Sequence, residues 1–138
     1  MLKIWNKKDL ETEGYELING KIDSIELSIT DHGCLYFSLG IITGSFDIGF
    51  GLCFGTYEKN EMADDYRDNF IYTSYHKMPE ILMRIMMTIG VKNISDLKDT
   101  YIRIAYKRGK ELKIIGNILD DVWFDMEDFY RENPIINN

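Results

Sequence analysis

Phe46-Asp47-Ile48-Gly49-Phe50-Gly51-Leu52-Cys53-Phe54 is the stretch that decides the fold. Phe46, Ile48, Phe50, Leu52 and Phe54 alternate with Asp47, Gly49, Gly51 and Cys53, the period of two imposed on a strand with one buried face. One side is bulky and the other nearly bare. Glycine weakens a strand, so two at alternate positions point to a bulge or to a close approach by a helix, a second subunit or a ligand.

The same alternation lies upstream. Ile25, Leu27 and Ile29 face one way within residues 22–30, with Glu26, Ser28 and Thr30 opposite. Asp31-His32-Gly33 then supplies the chemistry of a tight hairpin into Cys34–Leu39. Downstream, residues 56–76 are polar and acidic yet carry Tyr57, Tyr66, Phe70, Tyr72 and Tyr75. This reads as a long, partly ordered insert able to cover a site or a partner.

Pro79 suits the first turn of a helix. Ile81, Leu82, Ile85, Met86 and Ile89 mark its buried stripe, and Gly90 ends it. Ser95–Lys98 reads as a single capped turn. Tyr101–Tyr106 and Leu112–Ile118 form a second hairpin about Arg108-Gly109. Asp125 can cap a short last helix through Tyr130, and residues 134–138 read as a tail. The order gives an α+β fold: a single, mainly antiparallel sheet with one principal helix packed on one face and a short C-terminal helix. Residues 1–138 make one domain. Two layers cover one sheet face, so the surplus of 9 Tyr, 7 Phe and 2 Trp points to a homo-oligomer.

The 138 residues carry 23 acidic against 16 basic side chains, a net charge of −7, with 45% hydrophobic residues and two cysteines. A chain this long buries roughly two thirds of its unfolded surface and needs neither disulfide nor structural metal to fold. Cys34 and Cys53 therefore read as free thiols of a reducing compartment, and the expected location is cytoplasmic. Charge interrupts the first residues before a signal peptide forms, and Arg84 breaks the best apolar run, so no membrane association is expected. The acidic total argues against long nucleic acids. Between Lys77 and Lys113, however, nine basic residues stand against four acidic ones. Such asymmetry fits either a basic patch for a small anion or the solvated faces of a helix and a hairpin.

No catalytic constellation is visible. His32 and His76 lack a metal-ligand or nucleophile partner in sequence, and no Gly-x-Ser-x-Gly elbow occurs. His32 beside Asp31 could act as an oriented base, although turn geometry explains it more simply. Asp120, Asp121, Asp125 and Asp128 could hold a divalent ion or simply open a helix; calcium-loop spacing is missing. No metal and no cofactor is expected. Gly49-Phe50-Gly51 partly matches a dinucleotide fingerprint and an RNA-recognition strand, and satisfies neither. Arg84 sits beside an apolar stripe, where a charge must snorkel or find a partner. Arg103 projects opposite Ile102 and Ile104. Converging guanidinium groups would suit paired phosphates, and ion pairs with carboxylates are the alternative.

Asp31-His32-Gly33, Gly49-Phe50-Gly51, Arg84 in a helix ending at Gly90-Val91, Tyr101-Ile102-Arg103 and Ile115-Gly116-Asn117-Ile118 before Trp123-Phe124 occur in an order that resembles a family of small phage proteins. Among these are the Thoeris anti-defence proteins that act as nucleotide sponges. The resemblance spans residues 21–129, and the chain departs from the pattern at Ile48, where relatives carry glutamine, and in its longer stretch after that strand. It implies a phage-encoded, non-enzymatic protein that sequesters cyclic ADP-ribose-type signals made by bacterial TIR-domain enzymes; some relatives hold cyclic oligonucleotides. On that reading Arg84, Arg103, Arg108 and Lys110 meet phosphates, Phe50 or a loop tyrosine stacks on a base, Asn93 reads polar groups, and His32 completes the ligand set. Two other readings compete: a protein–protein inhibitor of a host defence or CRISPR component acting through its acidic surface, and a small RNA-binding domain using Phe50 and Phe54.

Overall fold

The computed structural model describes residues 1–60 and 70–134. In chain order the elements are α1 (Lys7–Thr12), β1 (Glu16–Ile29), β2 (Cys34–Ile42), β3 (Asp47–Lys59), β4 (Phe70–Ser74), α2 (Met78–Ile89), a single 3-10 turn (Ile94–Leu97), β5 (Tyr101–Tyr106), β6 (Ile114–Asn117), β7 (Trp123–Asp125) and α3 (Met126–Glu132). The strands form one sheet in the order β4-β3-β2-β1-β5-β6-β7. Every neighbouring pair is antiparallel. Two meanders thus flank β1, and α2 carries the chain from one edge to the other side of β1.

Local chemistry sets these boundaries. Gly33 takes a φ of 77° in the β1–β2 turn, where a side chain would strike the Tyr57 carbonyl. Pro79 lies in the first turn of α2, and Gly90 ends the helix with a φ of 94° as its N–H donates to the Met86 carbonyl at 2.8 Å. Asp125 accepts from the Asp128 N–H at 3.0 Å and caps α3 as expected.

The register places Phe37, Leu39 and Ile41 beside Leu52, Phe50 and Ile48 on one face of the sheet. Ile81, Ile85 and Ile89 of α2 and Phe129 of α3 complete the main core there. On the opposite face a smaller cluster of Trp5, Leu10, Ala105 and Ile114 lies under α1. Three helices, not one principal helix, cover the sheet, and both faces are partly covered. The sheet also curls: the Tyr130 hydroxyl on α3 donates to the Cys53 carbonyl of β3 at 3.2 Å. Burial, and then neighbouring Tyr75, push that hydroxyl up to about 12.

Several expectations need correction. Cys34 and Cys53 are not free thiols: they form a disulfide with Cα atoms 6.1 Å apart, because an extra residue at Phe54 shifts the β2–β3 register and brings the two onto a diagonal. The bulges fall at Asp23 and Phe54, not at the glycines. Gly51 instead makes room for the Tyr36 ring lying over it, and Gly49 has open space. Part of the 56–76 insert is regular structure, since Thr56–Lys59 pair with Phe70–Thr73. Tyr66, in that insert, and residues 135–138 of the expected tail lie outside the described residues.

Candidate functional site

The first seven residues lie against the C-terminal part of the chain through a series of carboxylates. Asp128 accepts from the Lys3 backbone N–H at 2.6 Å, Asp125 from Trp5 Nε1 at 2.9 Å, and Asp121 from the Lys7 N–H at 2.8 Å. The acidic run that could have held a divalent ion is therefore occupied with backbone and indole donors. Among the described residues no group of three metal-ligating side chains occurs. Burial raises the Asp128 carboxyl, but the Lys3 N–H and the Arg131 guanidinium outweigh it, and the group titrates below its ordinary value.

This docking builds one wall of a cleft of about 560 Å³. Trp5 and Tyr15 meet edge to face there, ring centroids 6.0 Å apart. Lys3 Nζ stands 3.6 Å above the Trp5 ring, and Lys107 Nζ 4.1 Å above the Tyr15 ring. The β5–β6 connection, turned by Gly109 at a φ of 77°, adds Lys110, Glu111 and Lys113, and the start of α3 adds Glu127 and Arg131. Lys113 pairs with Glu111 at 3.0 Å and Arg131 with Asp128 at 2.7 Å. Among the described residues Lys3, Lys107 and Lys110 form no ion pair with a carboxylate. Burial, and after it Asp125, Glu127 and Glu13, raise the Tyr15 hydroxyl, which stays a neutral donor at ordinary pH.

The residues singled out in the sequence do not gather here, with one exception. Lys110 lines the cleft. Arg84 lies on the outer side of α2, paired with Glu80 at 2.8 Å and above the Phe129 ring at 5.5 Å; its guanidinium in turn lowers the Glu80 carboxyl below the usual range. Arg103 is on the opposite face of the sheet, donating to the Asn117 and Asp120 carbonyls at 2.8 and 2.7 Å above the Trp123 ring. The two guanidinium groups do not converge, because register sends Arg103 away from the core side on which α2 packs. Phe50 is wholly buried and cannot stack on a ligand. Asn93 bonds Asp96 at 3.3 Å before the 3-10 turn, Arg108 is exposed in the β5–β6 connection, and His32 is exposed in the β1–β2 turn.

The cleft brings together the basic side chains of Lys3, Lys107, Lys110, Lys113 and Arg131, the carboxylates of Glu13, Glu111, Asp125 and Glu127, and the two aromatic rings, with neither histidine in its lining. Lys3, Trp5 and Tyr15 were missed because they reach the β5–β6 connection only through tertiary contacts. The available signal was a tryptophan amid charges at the start of a chain with two tryptophans in all. Among the described residues no helix is long and apolar enough to cross a membrane. Comparison with protein-family models, with curated proteins and with solved structures finds no match to this chain.

Proposed function

We infer that the protein binds a small anionic cyclic nucleotide without altering it, acting as a sponge for a defence signal in the host cytosol, as the resemblance to Thoeris anti-defence proteins implies. The observation that carries this reading is the cleft: among the described residues Lys3, Lys107 and Lys110 form no ion pair with a carboxylate and stand beside Trp5 and Tyr15, although Glu13, Glu111, Asp125 and Glu127 share the lining. Its volume of about 560 Å³ lies within the range of small-molecule sites. Sequestration near nanomolar needs about −12 kcal/mol, which a few charge-assisted hydrogen bonds of roughly 1.5–3 kcal/mol each plus ring stacking can reach in a preformed site. The phosphate-binding role moves from Arg84 and Arg103 to the cleft lysines.

Calorimetry with cyclic ADP-ribose, and with cyclic dinucleotides as a second series, tests this, with and without reductant because of the Cys34–Cys53 bond. The expected result is tight binding with the ligand recovered intact, abolished by Lys107→Glu combined with Lys110→Glu and unaffected by Arg84→Ala. Binding that needs Arg84 would overturn the site; a cleaved product would overturn the sponge; no binding in either series would leave the acidic-surface inhibitor as the better reading. Exposed Leu27, Ile29 and Tyr72 also support self-association. Sedimentation reading a multiple of 16.2 kDa checks it.

A further inference from the structure

β4 is an end strand of the sheet, with β3 as its one neighbour. Its pairing with β3 shows which backbone groups turn outward. The Tyr57 N–H donates to the Gly33 carbonyl at 2.8 Å, on the β2 side, so Tyr57 and the residue facing it, Tyr72, exchange no hydrogen bonds with each other. The Tyr75 N–H donates to the Phe54 carbonyl at 2.7 Å, which sets the same alternation from the other end of β4. Ile71 and Thr73 therefore direct their N–H and C=O groups to β3, and Tyr72 and Ser74 direct theirs to the open side. Among the described residues no strand and no other hydrogen-bonding group meets those outward groups.

Such an edge accepts another strand unless charge, proline or a bulge prevents it. Residues 70–74, Phe-Ile-Tyr-Thr-Ser, hold no charge and no proline, and four of the five favour strands. Their register with β3 runs without a shift. Ile71 and Tyr72 are exposed on opposite faces of β4, so a further strand would cover apolar surface on both.

Symmetry and charge select a second copy as that strand. Two β4 strands laid antiparallel about a two-fold axis at Thr73 set Tyr72 opposite Ser74 of the second copy, and every outward group of these residues then finds its complement. Thr73 meets its own counterpart, in line with Thr56 on β3, and threonine pairs well across strands. Copies of a chain with net charge −7 repel one another, and this edge lets them meet without a charge on the axis. The nearest charges on β3, Glu58 and Lys59, face Ile71 and Phe70. Each copy has a single β4, so the contact closes at two subunits. We propose that the chain forms a two-fold dimer through antiparallel β4–β4 pairing about Thr73, joining two seven-stranded sheets into one. This deepens the self-association proposed above and rests on it, and it is independent of what the cleft binds.

The test uses the whole protein over a series of concentrations. Sedimentation should pass from 16.2 kDa to twice that mass. Hydrogen exchange read amide by amide should slow roughly tenfold or more at Tyr72 and Ser74 as the dimer forms, while Ile71 and Thr73 are protected by β3 at both ends of the series. Thr73→Lys and Thr73→Glu each set like charges face to face and should weaken dimerisation roughly fivefold or more; mixing the two variants should restore it. A protein that stays monomeric throughout would overturn this dimer together with the self-association reading. A dimer in which the Tyr72 and Ser74 amides exchange as fast as in the monomer, or whose charge variants are not rescued by mixing, would overturn pairing about Thr73 and assign self-association to another surface.

Discussion

The two ends of the sheet are made from the same strands and are held in different ways. At one end, β5, β6 and β7 are sandwiched between α2 and α3 on one face and α1 with Trp5 on the other. Leu10, Ile102, Ile104, Ile115 and Phe129 there are fully excluded from solvent. At the other end the β1–β2 and β3–β4 hairpins project beyond the helices, and Leu27, Ile29 and Tyr72 are 61%, 64% and 72% exposed. Ile25, Leu27 and Ile29 share one face and one pattern, yet burial stops between the first and the second. Alternation sets which way a side chain points; what packs against it decides whether burial stabilises it.

The largest expected effect follows from that contrast. Phe129→Ala, at a side chain with no exposure in the sandwiched end, should destabilise by about 3–5 kcal/mol through lost burial and a cavity that the packed elements around it cannot collapse. Tyr72→Ala at the projecting hairpin should stay within about 0.5 kcal/mol. Urea denaturation followed by far-ultraviolet circular dichroism measures both, and equal costs would erase the distinction between the two ends. A self-associating projecting end would instead show a Tyr72 cost that grows with protein concentration.

An intermediate effect is expected of the covalent tie on the projecting side. Cys34 and Cys53 are 19 residues apart in sequence, and closing a loop of that order stabilises by about 3 kcal/mol in the chain-entropy account. Cys34→Ser should lower the urea midpoint to that of the reduced wild type, and reductant should then have no further effect on the variant. A reductant-insensitive wild type would show that the projecting end needs no staple.

Much of this fold was legible where the causes are local. The β1 and β3 alternation, Gly33, Pro79, Gly90, the Arg108-Gly109 turn and the Asp125 cap each name a backbone conformation within a few residues, and each lies where it was expected. β7 has three residues and α1 a single buried one, Leu10, too few to establish any period. The candidate site was less legible still. Lys110 was found through its neighbours in the basic segment, but Lys3 and Trp5 join it only because carboxylates more than a hundred residues away hold the start of the chain in place, and Tyr15 because β1 pairs with β5. Arg84 and Arg103 look alike in sequence, as charges beside apolar stripes. Register and helix packing put them on opposite sides of the sheet, where Glu80 and two backbone carbonyls satisfy them.

The smallest effect concerns how the well-held end depends on pH. Asp128 is 6% exposed and joins the Lys3 N–H to the Arg131 guanidinium, and its net shift is downward from 3.8. A carboxylate whose folded value lies below its unfolded one contributes stability that is fully present above the unfolded value and is lost as pH falls through the folded value. The Asp128 contribution should therefore be constant at neutral pH and decline below about pH 4. Asp128→Asn keeps an acceptor for Lys3 while losing the charge toward Arg131, so it should cost about 1–3 kcal/mol at neutral pH and make the acid limb of the stability curve shallower. Thermal unfolding of wild type and variant from pH 7 to pH 3 reads both quantities. Parallel curves would mean that Asp128 holds the N-terminal segment by shape alone, and Lys3 and Trp5 would then keep their places in the cleft at any acidity the fold survives.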